Sequence, residues 1–139
     1  MIKQAPKLTH KGAKAVLEGA ERRAAAIGVP QCIAVVDDGG NLLAFTRMDG
    51  GKVSSIQVAL TKAISAATRR SATGPVPNAE NPSMVLNTNL PIASGFKVTA
   101  IRGGLPIVTN GVVVGGIGVS SGTEDQDVDV ATAGASVIH

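Results

Sequence analysis

Two short turn signals constrain the fold of this chain more than any other feature. Asp38-Gly39-Gly40-Asn41 separates the apolar run 32–36 from 42–47, and Asn110-Gly111 separates 105–109 from 112–119. Such turns join antiparallel strands into hairpins, which disfavours a doubly wound parallel sheet. A further strand is predicted over 98–101. We therefore expect a mainly antiparallel sheet of about five strands.

Three helices are predicted around these strands. The first covers residues 9–27 and ends at Gly28. The second covers 55–69, with Ser54 and Gln57 at capping-box spacing, and the third runs from Thr123 to about Val137 with the same spacing to Gln126. We expect a single domain over 1–139, of α/β (α+β) class, with helices packed on the faces of the sheet.

The second helix has an apolar stripe that we expect to be buried. Lys62 lies well off this stripe, roughly opposite to it at 100° per residue. The residues of the stripe recur at three- and four-residue spacing and are Ile56, Ala59, Leu60, Ala63, Ile64 and Ala67.

Residues 71–96 break the regular pattern. This segment holds four prolines and four asparagines, so at most Ser83–Asn87 is expected to make a helical turn. Long irregular stretches in compact domains usually serve as lids, binding loops or disordered segments. Packing against another subunit is a further alternative.

Composition excludes several classes of protein. The chain is 44% hydrophobic with a net charge of +3, which is not typical of disorder. No apolar run approaches the ~20 residues of a membrane-spanning helix, and no signal-peptide pattern begins the chain, so we expect a cytoplasmic protein without a membrane partner. Scattered basic residues and the absence of Trp and Tyr argue against nucleic-acid binding.

Metal and nucleophile chemistry also find little support. The two histidines, His10 and His139, lie near the termini, and the single cysteine, Cys32, lies in an apolar strand. No metal site and no nucleophilic triad are therefore expected. The acidic run at Asp125, Asp127 and Asp129 lacks the glycine and glutamate that a calcium loop requires, and suits the first turn of a helix instead.

Two glycine-bearing elements are candidate ligand sites. Residues 115–123 are a glycine-rich stretch that connects a predicted strand to the N-terminus of a helix. The helix N-terminus could hold a carboxylate or phosphate, or the glycines could simply allow tight packing. Gly103 and Gly104 permit close approach of backbone, and Arg102 could hold a carboxylate or be a solvated residue at a bend. Asp49 could be an acid or base, although a turn-forming role is favoured.

The motifs, taken together and in order, resemble one family. These are the hairpin Val35–Gly50, Lys62-Ala63, Gly103-Gly104-Leu105-Pro106-Ile107, and Gly115–Gly122 followed by Gln126-Asp127. They resemble the GlcG/HbpS-like haem-binding, haem-degrading family (DUF336) over essentially the whole chain. The resemblance implies a profilin-like α/β/α fold, a tendency to form homo-oligomers, and a pocket among Met48, Asp49, Lys62, Gly103, Gly104, Gly118 and Asp127.

Three functional hypotheses follow. The resemblance favours a cytoplasmic binding protein for haem or a related tetrapyrrole that also degrades it, with His10, Met48 and Lys62 as candidate iron ligands. The alternative is a catabolic isomerase, lyase or hydrolase acting on a small carboxylate, in which Lys62 or Asp49 moves protons while Arg102 and glycine N–H groups hold the substrate. The third is a structural homo-oligomer without a small ligand, in which the 71–96 segment makes the subunit contact.

Overall fold

The computed structural model describes residues 1–139 as four helices and four strands. In chain order these are α1 (His10–Ile27), β1 (Cys32–Asp37), β2 (Leu42–Arg47), α2 (Ser55–Arg69), α3 (Met84–Ala93), β3 (Gly104–Thr109), β4 (Val112–Ser120) and α4 (Glu124–Ala135). The strands form one antiparallel sheet in the order β2-β1-β4-β3. The predicted α+β class with an antiparallel sheet is confirmed.

The sheet is covered on both faces by helices. On one face, Ala59, Ala63 and Ala67 of α2 pack against alternate residues of β1, beginning with Cys32. On the other face, α1 and α4 pack on the intervening side chains, such as Ile33 and Val35. This alternation follows from the pleat, which sends successive strand side chains to opposite faces. The single Cys32 is thus part of the core.

Both predicted hairpins are confirmed. β1 pairs with β2 and β3 pairs with β4, and Asn110 and Gly111 both take the left-handed conformation, with φ of 47° and 76°. Positive φ at both central positions is what a two-residue hairpin turn of this kind requires. The central pairing of β1 with β4 then joins the two hairpins into one sheet.

The prediction of a strand at Val98–Ile101 is wrong, so the sheet has four strands rather than about five. In this stretch, backbone N–H groups are satisfied by side-chain hydroxyls rather than by a neighbouring strand. The Thr99 N–H donates to Ser65 Oγ at 3.2 Å, and the Ile101 N–H donates to Thr99 Oγ1 at 3.1 Å. The β-branched run therefore pairs with no strand.

The predicted buried stripe of α2 is partly wrong. Ile56 is exposed, Leu60 and Ile64 lie at the margin, and Lys62 is buried instead of solvated. The reason is the strand beneath, since β4 presents Gly116 and Gly118 to this helix. A glycine surface admits small side chains and close backbone contact, so the helix turns its small residues inward. The buried residues are Ser55, Ala59, Lys62, Ala63, Ser65, Ala66 and Ala67.

The helix termini give mixed results. Thr123 and Gln126 form the predicted capping box of α4, and Gly28 ends α1 in the left-handed conformation. The capping box predicted at Ser54 and Gln57 is wrong, because Ser54 has helical φ and ψ and makes no side-chain cap. Such a residue continues the turn instead of capping it.

The 71–96 segment is more regular than predicted. It contains α3, which extends well beyond Asn87 and includes Pro91. Ser83 caps this helix by accepting a hydrogen bond from the Leu86 N–H at 3.1 Å. No side chain of α3 is buried. Across the whole chain, no helix is both long enough and apolar enough to cross a bilayer.

The turn between β1 and β2 gives a pH-dependence prediction at Asp37. Its Oδ1 accepts hydrogen bonds from the Gly39 and Asn41 N–H groups, each at 2.9 Å. Burial acts to raise the pKa of this carboxyl, but the bonds from Asn41 and Gly39 outweigh it and hold the pKa below the ordinary 3.8. The stabilisation is present above pH 3.8 and is lost as pH falls through the lower, folded-state pKa.

We therefore expect Asp37→Asn to lower the melting temperature at pH 7, and the difference from the unmodified chain to shrink in acid. Thermal unfolding of both proteins between pH 7 and pH 2 measures this. The exposed Asp49, which makes no such turn bonds, provides a control as Asp49→Asn. A difference that is independent of pH would contradict the proposed role of the Asp37 carboxylate.

Candidate functional site

A buried ion pair lies at the end of the sheet where β3 begins. Lys62 Nζ lies 3.0 Å from Asp127 Oδ2, and the side chains are 1% and 3% exposed. Lys62 comes from α2 and Asp127 from α4, so the pair joins helices on opposite faces of the sheet. Asp127 Oδ1 also accepts a hydrogen bond from the Gly122 N–H at 3.0 Å. Both carboxylate oxygens are thereby satisfied.

The Lys62 ammonium also completes the hydrogen bonding of β4. Val119 donates its N–H to the Gly103 carbonyl at 2.9 Å, while Nζ of Lys62 donates to the Val119 carbonyl at 2.8 Å. The Lys62 ammonium thus donates to a strand carbonyl that would otherwise accept a hydrogen bond from a backbone N–H of a neighbouring strand. A charged donor makes a stronger hydrogen bond than a neutral amide.

Three glycines make room for this arrangement. Gly103 has φ of +122°, and a Cβ there would lie 2.9 Å from Lys62 Nζ and 2.7 Å from the Val119 carbonyl. A Cβ on Gly104 would overlap the Lys62 carbonyl, and one on Gly118 would overlap the Ala59 carbonyl. These glycines are required by close approach of backbone, which is the role that the sequence analysis left open for Gly103 and Gly104.

Two functional-site neighbours were missed by the sequence analysis. Thr73, in the proline-rich segment, accepts the Gly104 N–H through Oγ1 and donates its own N–H to the Gly104 carbonyl, both at 2.9 Å. Gln31 is fully buried, and neither its amide nitrogen nor its amide oxygen has a hydrogen-bond partner. The only signal for Gln31 was a polar residue directly before a buried strand.

The Gln31 amide lies beside the ion pair. A Cβ placed on Gly122 would be 2.9 Å from Gln31 Nε2 and 3.0 Å from both Asp127 Oδ1 and Gln126 Oε1. The absence of a side chain at Gly122 thus leaves room for these three polar atoms, which a larger residue would displace. Gln31 is the member of this cluster whose hydrogen-bonding capacity is unused, and buried polar groups of this kind are uncommon.

The remaining predicted site residues lie nearer the surface. Met48 is half-buried and packs at the edge of the core, while Asp49 is exposed in the following turn. The Arg102 guanidinium pairs with Asp125 at 2.7 Å, and its backbone N–H donates to Glu124 Oε1. The acidic first turn of α4 therefore occupies the arginine that the sequence analysis offered to a carboxylate ligand.

Surface hollows lie elsewhere on the molecule. None of the four is lined by Lys62, Asp127 or the glycines around them. Two lie around α3, one lies near Lys7 and Arg70, and one lies along the exposed face of α1 at His10. The buried cluster is therefore separate from these surface hollows.

Sequence comparison gives one matching family and several relatives. A family model described as haem-degrading, HbpS-like protein matches residues 8–136. An uncharacterised 15.0 kDa protein from the dhaT–dhaS intergenic region of Citrobacter freundii is 38% identical over 86% of this chain and 84% of its own length. Protein GlcG of Escherichia coli K12 is 33% identical over 81% of each chain.

Comparison with solved structures gives the same grouping. Protein ORFY of Klebsiella pneumoniae, described as DUF336, is 31% identical with a TM-score of 0.88 over 98% of this chain and 93% of its own. A PduOC–haem complex is 25% identical with a TM-score of 0.84 over 96% of each chain. These matches extend over the sheet and all the helices around it.

Proposed function

Because this chain belongs to the family of HbpS-like haem-degrading proteins, we propose that it binds haem or a related tetrapyrrole. The observation that carries the proposal is the close fold match to the PduOC–haem complex, since that relative holds haem on the same arrangement of helices and strands. Degradation of the bound haem and a cytoplasmic location are further parts of the proposal.

The candidate iron ligands differ in how free they are to bind. The Lys62 ammonium donates to Val119 and Asp127, so it has no lone pair to offer. Cys32 is buried, and burial raises the pKa of its thiol, which disfavours the thiolate that binds iron. Met48 is half-buried against the core. His10 is exposed at the start of α1, so its imidazole is accessible to a ligand.

Two basic side chains near His10 could contact the propionates of a bound haem. The hollow along α1 is lined by His10, Lys11, Lys14, Ala15 and Glu18. The two lysines would attract the haem propionates, whereas Glu18 at the far end would repel them. Bound haem would supply a redox-active iron, and the protein would supply the imidazole and the two ammonium groups. We propose His10 as the iron ligand and Lys11 and Lys14 as propionate contacts.

Haem titration tests this proposal. Purified protein titrated with haem is expected to give a saturable shift of the Soret absorbance, which His10→Ala abolishes or weakens strongly. His139→Ala, at the other exposed histidine, is the matched control and should bind like the unmodified chain. Met48→Ala tests the thioether in the same way.

The outcomes separate specific from adventitious binding. Unsaturable absorbance that no variant changes would overturn haem as the ligand. Saturable binding that survives His10→Ala and is lost in Met48→Ala would retain haem but reassign the iron ligand. A ligand that binds only the folded protein stabilises it. Specific haem binding should therefore raise the melting temperature as the free haem concentration rises.

The alternative proposal, a catabolic isomerase, lyase or hydrolase for a small carboxylate, has weaker support. It assigns proton transfer to Lys62 or Asp49, and substrate binding to Arg102 and to glycine N–H groups such as those of Gly103, Gly104 and Gly118. Lys62 bonds to Asp127 rather than to Asp49, and Arg102 is paired with Asp125. Turnover of a small carboxylate that is lost in folded Lys62→Ala and Asp49→Asn variants would favour this alternative.

Other parts of the proposal concern organisation and partners. We propose that residues 1–139 act as one domain of profilin-like arrangement, that the ligand is a small molecule, and that neither nucleic acid nor membrane is a partner. We also propose a homo-oligomer. The support for the oligomer is the set of exposed apolar residues on α3.

A further inference from the structure

We propose that α3 is the centre of a two-fold interface at which two copies of this chain pack antiparallel to each other. Residues 81–96 contain no charged side chain, which is unusual for a helix on a protein surface. None of the side chains of α3 is buried. An apolar, uncharged helix without a fully buried side chain makes less hydrophobic contact than the contact that normally stabilises a helix in a protein.

Several large apolar residues on and near α3 are exposed, and we call them together the α3 patch. Val85 and Ile92 lie seven residues apart, hence on the same side of the helix, and are 69% and 62% exposed. The patch also contains exposed residues at both ends of the helix and beyond it: Met84, Leu86, Phe96 and Ile101. Large exposed apolar patches mark interaction sites.

The composition of the α3 patch fits a protein partner. The cores of protein interfaces are depleted of charge and enriched in methionine and aromatic residues. The uncharged segment and its apolar neighbours in sequence approach the ~20–30 residues that each side of a standard interface contributes. Asn87, Thr88 and Asn89 within it could supply neutral hydrogen bonds across the interface.

Charges at the borders of the segment indicate that the partner is a second copy. Glu80 directly precedes the uncharged residues and Lys97 directly follows them, and both side chains are exposed. In a two-fold interface, if residue i of one copy contacts residue j of its partner, then residue j of the first copy contacts residue i of the partner. Antiparallel packing across α3 therefore places Glu80 of each copy near Lys97 of the other, giving two opposite-charge pairs at the rim.

This inference deepens the homo-oligomer part of the proposed function and is independent of haem. It assigns a surface and a relative orientation to the self-association. The positive net charge of the chain, +3, would oppose association at most surfaces. The uncharged α3 patch avoids that repulsion. The charges of Glu80 and Lys97 attract across the interface only in the antiparallel arrangement.

The first experiment places a charge in the α3 patch of the full chain. Val85→Glu is expected to shift the chain from dimer or higher oligomer towards smaller species in sedimentation or light-scattering measurements. Val53→Glu is a closely matched control, because Val53 is 68% exposed and lies outside the patch. That control should associate like the unmodified chain. Circular dichroism of each variant verifies that it is folded.

The second experiment exchanges the border charges. Glu80→Lys or Lys97→Glu alone creates two like-charge contacts, which should raise the dimer dissociation constant about 2- to 30-fold at low salt. The double variant Glu80→Lys/Lys97→Glu restores two opposite-charge pairs and should recover the original constant. The single-variant effects should diminish at high salt.

Each outcome supports or overturns a stated part of the proposal. An unmodified chain that is monomeric up to its solubility limit overturns both the homo-oligomer and the α3 interface. An oligomer unaffected by Val85→Glu retains the homo-oligomer and overturns the interface. Dissociation by Val85→Glu without recovery in the double charge variant overturns the antiparallel orientation. None of these results depends on haem binding.

Discussion

Replacing Lys62 by methionine is expected to lower the free energy of unfolding by about 3–5 kcal/mol, because it leaves Asp127 as a buried charge without a partner. The ammonium also donates a hydrogen bond to the Val119 carbonyl, so its loss leaves a second buried polar group without that hydrogen bond. Since domains of this size are stable by only about 5–15 kcal/mol, this loss is a large fraction of the total stability. Urea unfolding at pH 7 measures the change.

A surface ion pair of similar chemistry is the control. Lys7 lies 2.9 Å from Asp38, but its side chain is 67% exposed. Exposed pairs contribute about 0–1 kcal/mol, so Lys7→Met should change stability little. Comparable losses for Lys7→Met and Lys62→Met would contradict the view that burial makes the Lys62–Asp127 pair important.

A double-mutant cycle isolates the interaction itself. Asp127→Asn removes the charge while retaining an oxygen that can accept the Gly122 N–H. Lys62→Met combined with Asp127→Asn should be less destabilised than the sum of the two single variants, with a coupling of about 0.5–3 kcal/mol. Strict additivity would mean that each side chain contributes through separate contacts.

Local signals in the sequence predicted the elements that local chemistry determines. The Asn110-Gly111 turn, the left-handed Gly28 and the Thr123 cap all depend on backbone conformation or hydrogen bonds within a few residues. These interactions are the same in a peptide segment as in the folded protein. Accordingly, the hairpins and three of the helices could be predicted.

The inward face of α2 could not be predicted from its own periodicity. Its most hydrophobic stripe would have placed Ile56 inside and Lys62 outside, but the glycines of β4 admit only the side with the small residues. Which face is buried therefore depends on residues about fifty or more positions away. The burial of Lys62 further requires Asp127 and Val119, which are equally remote in sequence.

The grouping of the candidate site residues came from the family resemblance rather than from spacing. The structure brings Lys62, Gly103, Gly104, Gly118 and Asp127 together, while Asp49 and Arg102 face the surface with other partners or none. Thr73 and Gln31 join the group through tertiary contacts. Nothing in the local sequence of Thr73 indicates that role, and the only signal for Gln31 is its position directly before a buried strand.

Substituting Gly118 by alanine is expected to destabilise the chain by about 3 kcal/mol or more, at or above the upper end of the usual cost of overpacking. A Cβ at this position would overlap the Ala59 carbonyl and the Ala63 amide of α2. These are backbone atoms of a helix, which cannot rotate aside as a side chain can. The whole helix would have to withdraw from β4.

Withdrawal of α2 has consequences beyond the position of the clash. The Ala59, Ala63 and Ala67 side chains would lose contact with β1, and Lys62 would be drawn away from Asp127. Gly74→Ala is the control, since its nearest neighbour would be Arg102 Cγ at an ordinary 3.8 Å. Urea unfolding of both variants measures the difference.

The same variant connects packing to the ion pair. If Gly118→Ala acts by displacing α2, it should already weaken the Lys62–Asp127 contact, and adding Lys62→Met should then cost less than it does in the unmodified chain. Equal costs in the two backgrounds would mean that the helix stays in place and the strain is absorbed elsewhere. A Gly118→Ala variant as stable as Gly74→Ala would contradict the close approach of α2 to β4 altogether.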